Sequence, residues 1–369
     1  MQNFQTTTIN NYCLLFMKKN IIFFIFITLA FCAFLAGCGT QTPEGNINDP
    51  CLPAIDISKI NNSEINVKIE RVDNDLFALK TKEEISAYFK KNQLFTKKYI
   101  QLERFGGNDS IPVKEIYNLI SNKYLDTLHQ DCNRIYGDMK PLENALTDAF
   151  KHIKAIYPDF VPPRVQTMIT GYGKGARLRE MSDMLVSKEL IVIGLEFFLG
   201  NKYKYQPDVP EYIARRYTRE NIVPMIVREI STAYNKYDEK DRTMLGETVF
   251  YGKTYYFMQS MLPCLPDSIA LGYTNQQMKM AYYNRATIWK HYIDKQIFFN
   301  AKNNVVKDYM DESPFTLPIS QDCPGAIGRW SGLRMVRAYM QKNPKITLKE
   351  LLNNENAKDI LENSGYKGE

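Results

Sequence analysis

Few residues in this chain have the types and spacing that catalysis or metal binding requires. Its three histidines are His129, His152 and His291. No two of them are four residues apart, the spacing that lets one helix hold a metal ion with two imidazoles. A histidine-based zinc site within one helix is therefore excluded, and we interpret all three as surface or boundary residues of helices. Carboxylate pairs such as Glu229 and Glu247 are explained by charge on solvated helix faces. The residues alone identify no catalytic centre, and no cofactor is expected.

Two glycine-containing segments resemble phosphate-binding loops, but neither has the required pattern. Gly171, Gly173 and Gly175 lack the spacing of a nucleotide fingerprint, so we interpret them as a tight turn after a strand. The segment 246–254 ends in Gly-Lys-Thr, as a P-loop does, but its first glycine is one residue too far away. Bulky side chains also stand where backbone amides should surround a phosphate. A nucleotide site is therefore not expected in either segment.

The start of the chain has the pattern of a bacterial lipoprotein signal peptide. Read from Met17, two lysines precede an apolar run over 21–34, which closes with Leu-Ala-Gly before Cys38. We predict a signal peptide over residues 17–37, lipid attachment at Cys38, and a mis-assigned start over residues 1–16. An uncleaved transmembrane anchor is the alternative, but the apolar run is short for a span of about 20 residues.

Cleavage before Cys38 would leave a mature protein of moderate positive charge. The mature chain loses Lys18 and Lys19 and no acidic residue, so its formal charge falls from +6 to +4. The remaining basic residues do not form runs, which argues against nucleic acid as a partner. Residues 38–58, which contain Pro43 and Gly45, are predicted to form a flexible tether. A single helix-rich domain over residues 59–369 should follow.

Four further cysteines remain in the mature chain, in a compartment that permits disulfides. They allow three pairings, between which the sequence does not choose, and free buried thiols are the alternative. Their spacing matches no zinc finger. The four positions are Cys51, Cys132, Cys264 and Cys323.

Most of the mature sequence has helical periodicity. Three capping boxes predict helix starts, at Thr81/Glu84, Thr274/Gln277 and Thr347/Glu350. After Asn221, apolar residues recur every four positions, with Pro224 in the first turn, which predicts an amphipathic helix. Apolar positions between Met278 and Tyr292 predict another helix, ending near Phe299.

Two apolar segments, 165–170 and 190–195, are predicted to be strands, and residues 65–69 are a weaker strand candidate. The β-branched run at 190–195 is typical of a strand buried within a sheet. The expected fold is therefore α+β, helix-rich, with a small sheet.

An ordered set of segments resembles the gliding motility lipoprotein family GldB. The set covers nearly the whole mature chain from Ile69 onward. It comprises IERVDNDLF at 69–77, ELIVIGLEFFLG at 189–200, GYT at 272–274, IW at 288–289 and PGAIGRWSG at 324–332.

This family is in turn similar in layout to zincin-type metallopeptidases, and the resemblance implies that the zinc site is lost here. In zincins one helix carries His-Glu-x-x-His, and a later helix supplies a glutamate before a glycine. The corresponding positions are Arg228-Glu229-Ile230-Ser231-Thr232 and Tyr251. Only the water-activating glutamate, Glu229, is kept. An arginine at a ligand position puts a fixed cation where a dication should bind.

The resemblance implies a zincin-like domain that is not an enzyme and supports gliding motility or the associated envelope and secretion machinery. Arg228, Glu229, Thr232 and Tyr251 would form a cleft for a protein partner. The family also occurs in non-gliding bacteria. In relatives of this kind, surface export is associated with an acidic run just after the lipidated cysteine. Residues 39–45 carry one glutamate and no such run, so the resemblance implies a position on the periplasmic face of the outer membrane. A working hydrolase of the same fold and a periplasmic glycan-binding lipoprotein are the alternatives.

Overall fold

The computed structural model describes residues 51–58, 60, 65–173 and 182–369. The predicted mis-assigned start, the signal peptide, Cys38, most of the tether and Gly175 lie outside these residues. Within the described part of the chain, no helix is both long enough and apolar enough to cross a membrane.

One four-stranded mixed sheet has the order β1-β2-β4-β3. Strands β1, β2 and β4 run parallel, and β3 pairs with β4 in the antiparallel direction. All five residues of β4 are buried, as its β-branched run predicted. The strands are β1 (Ile69–Glu70), β2 (Arg164–Met168), β3 (Met184–Val186) and β4 (Leu190–Gly194).

Helices supply most of the remaining structure, so the predicted helix-rich α+β fold is confirmed. The N-terminal helices are α1 (Val72–Ala78), α2 (Lys82–Lys91), α3 (Gln93–Phe95), α4 (Ser110–Ile120), α5 (Lys123–Tyr136) and α6 (Lys140–Ile156). The central helices are α7 (Glu211–Ala214), α8 (Ile222–Ser231), α9 (Met244–Met261), α10 (Asp267–Leu271), α11 (Asn275–Tyr283) and α12 (Arg285–Asp294). The C-terminal helices are α13 (Asn303–Met310), α14 (Ile327–Lys342), α15 (Leu348–Asn353) and α16 (Ala357–Ser364).

The local sequence signals mark where several of these elements begin. Each of the three predicted capping boxes is present, and each sits at the start of a helix, α2, α11 or α15.

The prediction of one continuous helix over 278–299 was wrong, because Asn284 ends α11 and a new helix begins at Arg285. The strand expected at 65–69 is reduced to the two residues of β1. Strand β3 was not predicted, because its three residues are only half-buried and give no clear alternation.

Helices α9 and α14 cross with their backbones in contact. A Cβ atom on Gly252 would lie 2.3 Å from the carbonyl oxygen of Gly332, and one on Gly332 would lie 1.9 Å from that of Thr248. Only glycine fits at such a crossing. The segment 246–254 is therefore part of a packed helix, which confirms that it is not a P-loop. Lys253 on this helix is buried and donates its ammonium hydrogens to the carbonyl oxygens of Lys236 and Asn354.

One disulfide joins Cys51 to Cys264, across a sequence separation of 213 residues. The pairing was left open by the sequence, and the two remaining candidates, Cys132 and Cys323, are buried free thiols. Burial raises the pKa of both thiols, that of Cys323 to about 12. The tether predicted over residues 38–58 is therefore fixed to the folded domain at Cys51, seven residues before its predicted end.

Candidate functional site

Helix α8 presents the candidate residues Arg228 and Glu229 because its other face is buried. Ile222 and Ile226 are fully buried on that face, and Pro224 lies in the first turn as predicted. Arg228 is partly exposed, with 29% of its side chain accessible, and Glu229 is 47% exposed. The Nε and Nη2 atoms of Arg228 lie 3.2 and 3.1 Å from Oε1 of Glu229. The inferred general base is therefore paired with an arginine.

Arg228 is close enough to an ion-pair group of Arg216, Glu312 and Arg329 to interact electrostatically with Glu312, and we call these four residues the arginine cluster. Glu312 accepts hydrogen bonds from Arg216 and from Arg329, the latter at 3.1 Å. Burial alone raises the pKa of Glu312, but Arg216 and Arg329 outweigh it and lower that pKa. Burial alone lowers the pKa of Arg228. Tyr255, Glu229 and Glu312 outweigh burial, and the pKa of Arg228 is raised.

Tyr251 packs beside the arginine cluster. The guanidinium of Arg329 lies 4.3 Å from the centroid of the Tyr251 ring, a cation–π contact. The backbone contact between Gly252 and Gly332 brings the two side chains together, since each lies within one turn of one of these glycines. Burial raises the pKa of Tyr251, with Arg329 acting in the opposite direction. Arg228 also acts electrostatically on Tyr251, so these two predicted site residues share one environment.

The other two predicted residues, Glu229 and Thr232, line a neighbouring pocket of about 450 Å³. Thr232 follows the last residue of α8 and donates its hydroxyl to the backbone oxygen of Glu229 at 2.7 Å. The four residues therefore do not form one constellation: Arg228 belongs to the arginine cluster and Tyr251 packs against it, whereas Glu229 and Thr232 face the pocket.

The arginine cluster favours an anion and opposes a metal cation. Its three guanidinium groups are balanced by two carboxylates, Glu312 within the cluster and Glu229 beside Arg228, and the Nε atom of Arg216 is buried without a hydrogen-bond partner in the described residues. Arginine cannot lose its charge to become a ligand. Among the described residues, no group of three or more His, Cys, Asp or Glu side chains could hold a metal ion. The chemistry available here is hydrogen bonding to carboxylate or carbonyl oxygens.

Sequence reasoning missed the other three members of the arginine cluster, namely Arg216, Glu312 and Arg329. They come from a loop, the segment after α13 and helix α14, and no local pattern connects them. A partial signal was present, because Arg329 lies within the PGAIGRWSG segment at 324–332 whose glycines permit the helix crossing.

A second polar network lies at the carboxyl end of strands β1 and β2. Asp73 is fully buried and accepts hydrogen bonds from Nε and Nη2 of Arg71 at 3.0 and 2.7 Å, and one from the Thr167 hydroxyl. Nε2 of His129 lies 3.5 Å from Oδ2 of Asp73. Burial alone raises the pKa of Asp73, but the hydrogen bonds from His129, Arg71 and Thr167 outweigh it and lower the pKa to about 2. These side chains interact with one another, so the network connects the start of helix α1 to strand β2 and helix α5.

The histidines are more buried than the sequence suggested. His129 and His152 are both 8% exposed, so the expectation of surface or boundary positions was wrong for these two, while His291 is half-buried, a boundary position as expected. His129 stacks on Phe77 with ring centroids 4.2 Å apart, and His152 bonds the backbone oxygen of Met261 through Nδ1 at 2.9 Å. Each of these two side chains thus has a structural partner.

The turn after β2 is held by a buried carboxylate. Gly171 and Gly173 have positive φ angles of 66° and 65°, which confirms a tight turn at this point. Oε1 of Glu196 accepts hydrogen bonds from the backbone amide and the hydroxyl of Thr170, both at 2.6 Å. Burial raises the pKa of Glu196, with the Thr170 bonds acting in the opposite direction. This carboxylate therefore ties the turn to the end of β4.

The fold defines a helix-rich α+β domain with a small mixed sheet, and three arginines and Glu312 form a charged cluster next to helix α8. Residues 54–368 match the family model of the gliding motility protein GldB. The chain therefore belongs to the GldB family, whose label marks it as a family of lipoproteins. No curated protein and no solved structure matches the chain. The similarity to zincin peptidases thus stays a prediction.

Proposed function

We propose that this GldB-family protein is a lipid-anchored, non-enzymatic component of the gliding motility machinery or of the associated envelope and secretion machinery. It binds a protein partner through a degenerate peptidase cleft. The observation that carries the proposal is the position of Arg228. Its guanidinium stands at the first inferred zinc-ligand position and takes the glutamate that would activate water as its partner. A charged guanidinium about 4 Å from a cation is repelled by several kcal/mol at an effective dielectric near 20.

The arrangement of sheet and helix supports the same interpretation. In peptidases of the inferred class, a substrate lies extended along an edge strand next to the metal-binding helix. Here β3 is the antiparallel edge strand, and it packs against α8, which carries Arg228 and Glu229. Loss of the zinc ion would remove the catalytic chemistry but would leave the groove between the edge strand and the helix. The arginines and Tyr251 supply side-chain types that frequently contribute most of the binding energy at protein interfaces.

The purified protein should contain no stoichiometric zinc, because Arg228, Thr232 and Tyr251 occupy the three inferred ligand positions. The test is elemental analysis of the detergent-solubilised protein after dialysis, with a known zinc peptidase processed in parallel as the control. About one zinc per chain, removed by a chelator together with a peptidase activity, would contradict the non-enzymatic function.

Membrane attachment is proposed to occur through the Cys38 sulfur, at the periplasmic face of the outer membrane. The family's label as lipoproteins and the lipobox both support this. Each buried methylene of an acyl chain contributes about 0.8 kcal/mol, so two or three chains would hold the protein firmly.

Substitution of Cys38 by alanine should abolish acylation, because no other cysteine follows a lipobox. Metabolic labelling with a fatty acid checks this, and Cys32→Ala, which lies in the predicted signal peptide, is the matched control that should retain the label. Labelling of the Cys38→Ala protein at the normal level would refute the assignment.

A further inference from the structure

An exposed group of apolar and basic side chains lies between the end of helix α12 and the start of α13. Phe299 is 65% exposed and Ile293 is 52% exposed. Both line an open depression of about 890 Å³ together with Lys295 and Lys302. We call these four residues the basic apolar patch. Large apolar side chains that are grouped at a surface mark a contact site for a protein or a membrane.

The charge of the patch is positive. The lining of the depression contains Lys295 and Lys302 and no carboxylate, and neither lysine forms an ion pair within the described part of the chain. The adjacent Asp294 is paired with Lys290, whose ammonium lies 2.5 Å from its carboxylate. Residues 303–311, beyond the depression, carry one lysine and two aspartates. The excess of positive charge is therefore confined to the patch itself.

The patch is connected by ring contacts to the groove where the tether is fixed to the domain. Cys51, held by its disulfide, lines this groove together with Tyr366. The Tyr366 ring packs against Trp289 with centroids 5.4 Å apart, and Trp289 packs against Phe298 with centroids 5.3 Å apart. Phe298 lines the depression beside Phe299. The tether therefore enters the domain near the patch.

The part of the predicted tether before Cys51 is short. Thirteen residue steps separate Cys38 from Cys51, which span at most about 45 Å when fully extended. A flexible chain of this length has a typical end-to-end distance of about 20 Å. A lipid on Cys38 would therefore keep the patch at a high effective concentration near the bilayer, where even a weak contact forms.

We propose that the basic apolar patch contacts the phospholipid surface of the membrane that anchors the protein. Phe299 and Ile293 enter the boundary between headgroups and acyl chains, and Lys295 and Lys302 lie against anionic headgroups. Apolar side chains flanked by lysines bind bilayers in this way, because burial of apolar area and attraction to anionic lipid act together. This inference rests on the proposed lipid anchor and assigns the face of the domain that is turned towards the bilayer.

Fluorescence quenching by brominated phospholipid tests the contact on the full acylated protein reconstituted into vesicles. Phe299→Trp places a fluorophore in the patch, Tyr124→Trp places one at an exposed position of α5, and wild type supplies the background. In vesicles of brominated phosphatidylethanolamine and phosphatidylglycerol, the fluorescence added by Phe299→Trp should fall about twofold or more. That added by Tyr124→Trp should not change. Equal quenching of both variants, or of neither, in protein that floats with the vesicles would overturn the contact and leave the anchor standing.

Charge reversal in the Phe299→Trp protein tests the contribution of the lysines. Lys295→Glu with Lys302→Glu should remove at least half of the quenching, as should replacement of the lipids by brominated phosphatidylcholine, which has no net charge. Lys90→Glu with Lys91→Glu, at the exposed end of α2, changes the net charge equally and should leave the quenching intact. Full quenching after both the patch reversal and the change of lipid would refute the contact with anionic headgroups. Protein that does not float with the vesicles would overturn the anchor and the contact together.

Discussion

Replacement of Asp73 by asparagine should destabilise the protein by about 3–5 kcal/mol, the cost typical of removing one partner from a buried ion pair. Asp73 is fully buried, and its carboxylate holds Arg71 through two hydrogen bonds. The variant keeps the shape of the side chain but leaves the partly buried guanidinium without its counter-charge. Because Arg71 and Thr167 come from neighbouring strand regions, the loss also loosens the junction of β1 with β2.

The same carboxylate should make the stability depend on pH in the acid range. Its pKa is about 2 in the folded protein and near 3.8 when unperturbed. A lowered folded-state pKa gives stability that is complete above the unfolded value and is lost as the pH falls from about 4 towards 2. At about 1.4 kcal/mol per pKa unit, the contribution is about 2–3 kcal/mol. The asparagine variant should lack this part of the pH dependence.

Guanidinium unfolding of the detergent-solubilised protein, followed by tryptophan fluorescence at pH 7 and at pH 3, measures both effects. Asp75→Asn is the matched control, since Asp75 lies on the same helix but is exposed, and its substitution should cost less than about 0.5 kcal/mol. A stability of Asp73→Asn within 1 kcal/mol of wild type at pH 7 would show that the ion pair contributes little.

Elements with strong local signals were predictable from the sequence. Capping boxes located the starts of α2, α11 and α15, because their side-chain and backbone partners are only three residues apart. The run at 190–195 identified β4, because a continuous β-branched stretch suits a strand covered on both faces. Neither signal depends on the rest of the fold.

Contacts between distant parts of the chain were not predictable in this way. Glu312 meets Arg216 across 96 positions of sequence, and the Cys51–Cys264 pairing spans 213. Such contacts follow from how the helices pack, above all from the crossing of α9 and α14 at Gly252. The family resemblance did identify Arg228 and Tyr251, yet it grouped them with Glu229 and Thr232, which the structure places on the neighbouring pocket.

Removing Arg228 and Tyr251 together should weaken the interaction with a partner by about 2 kcal/mol or more, about thirtyfold in affinity, as expected for interface hot spots. Arg228 belongs to the arginine cluster and Tyr251 packs against it, so a bound carboxylate or carbonyl oxygen would lose one guanidinium and one ring from its surroundings. The fold should survive, because the hydrogen bonds of Arg228 go to the exposed Glu229, and Glu312 keeps Arg216 and Arg329.

Quantitative recovery of crosslinked partners from cells, comparing wild type with the Arg228→Ala, Tyr251→Ala double variant, tests the central claim most directly. Arg242→Ala with Tyr237→Ala is the matched control, because both residues are exposed and lie outside the arginine cluster. We predict that at least one envelope protein captured by wild type and by the control falls about thirtyfold with the double variant, at equal protein level and equal acylation. Recovery of every partner at the wild-type level by a folded double variant would contradict a binding role for the cleft.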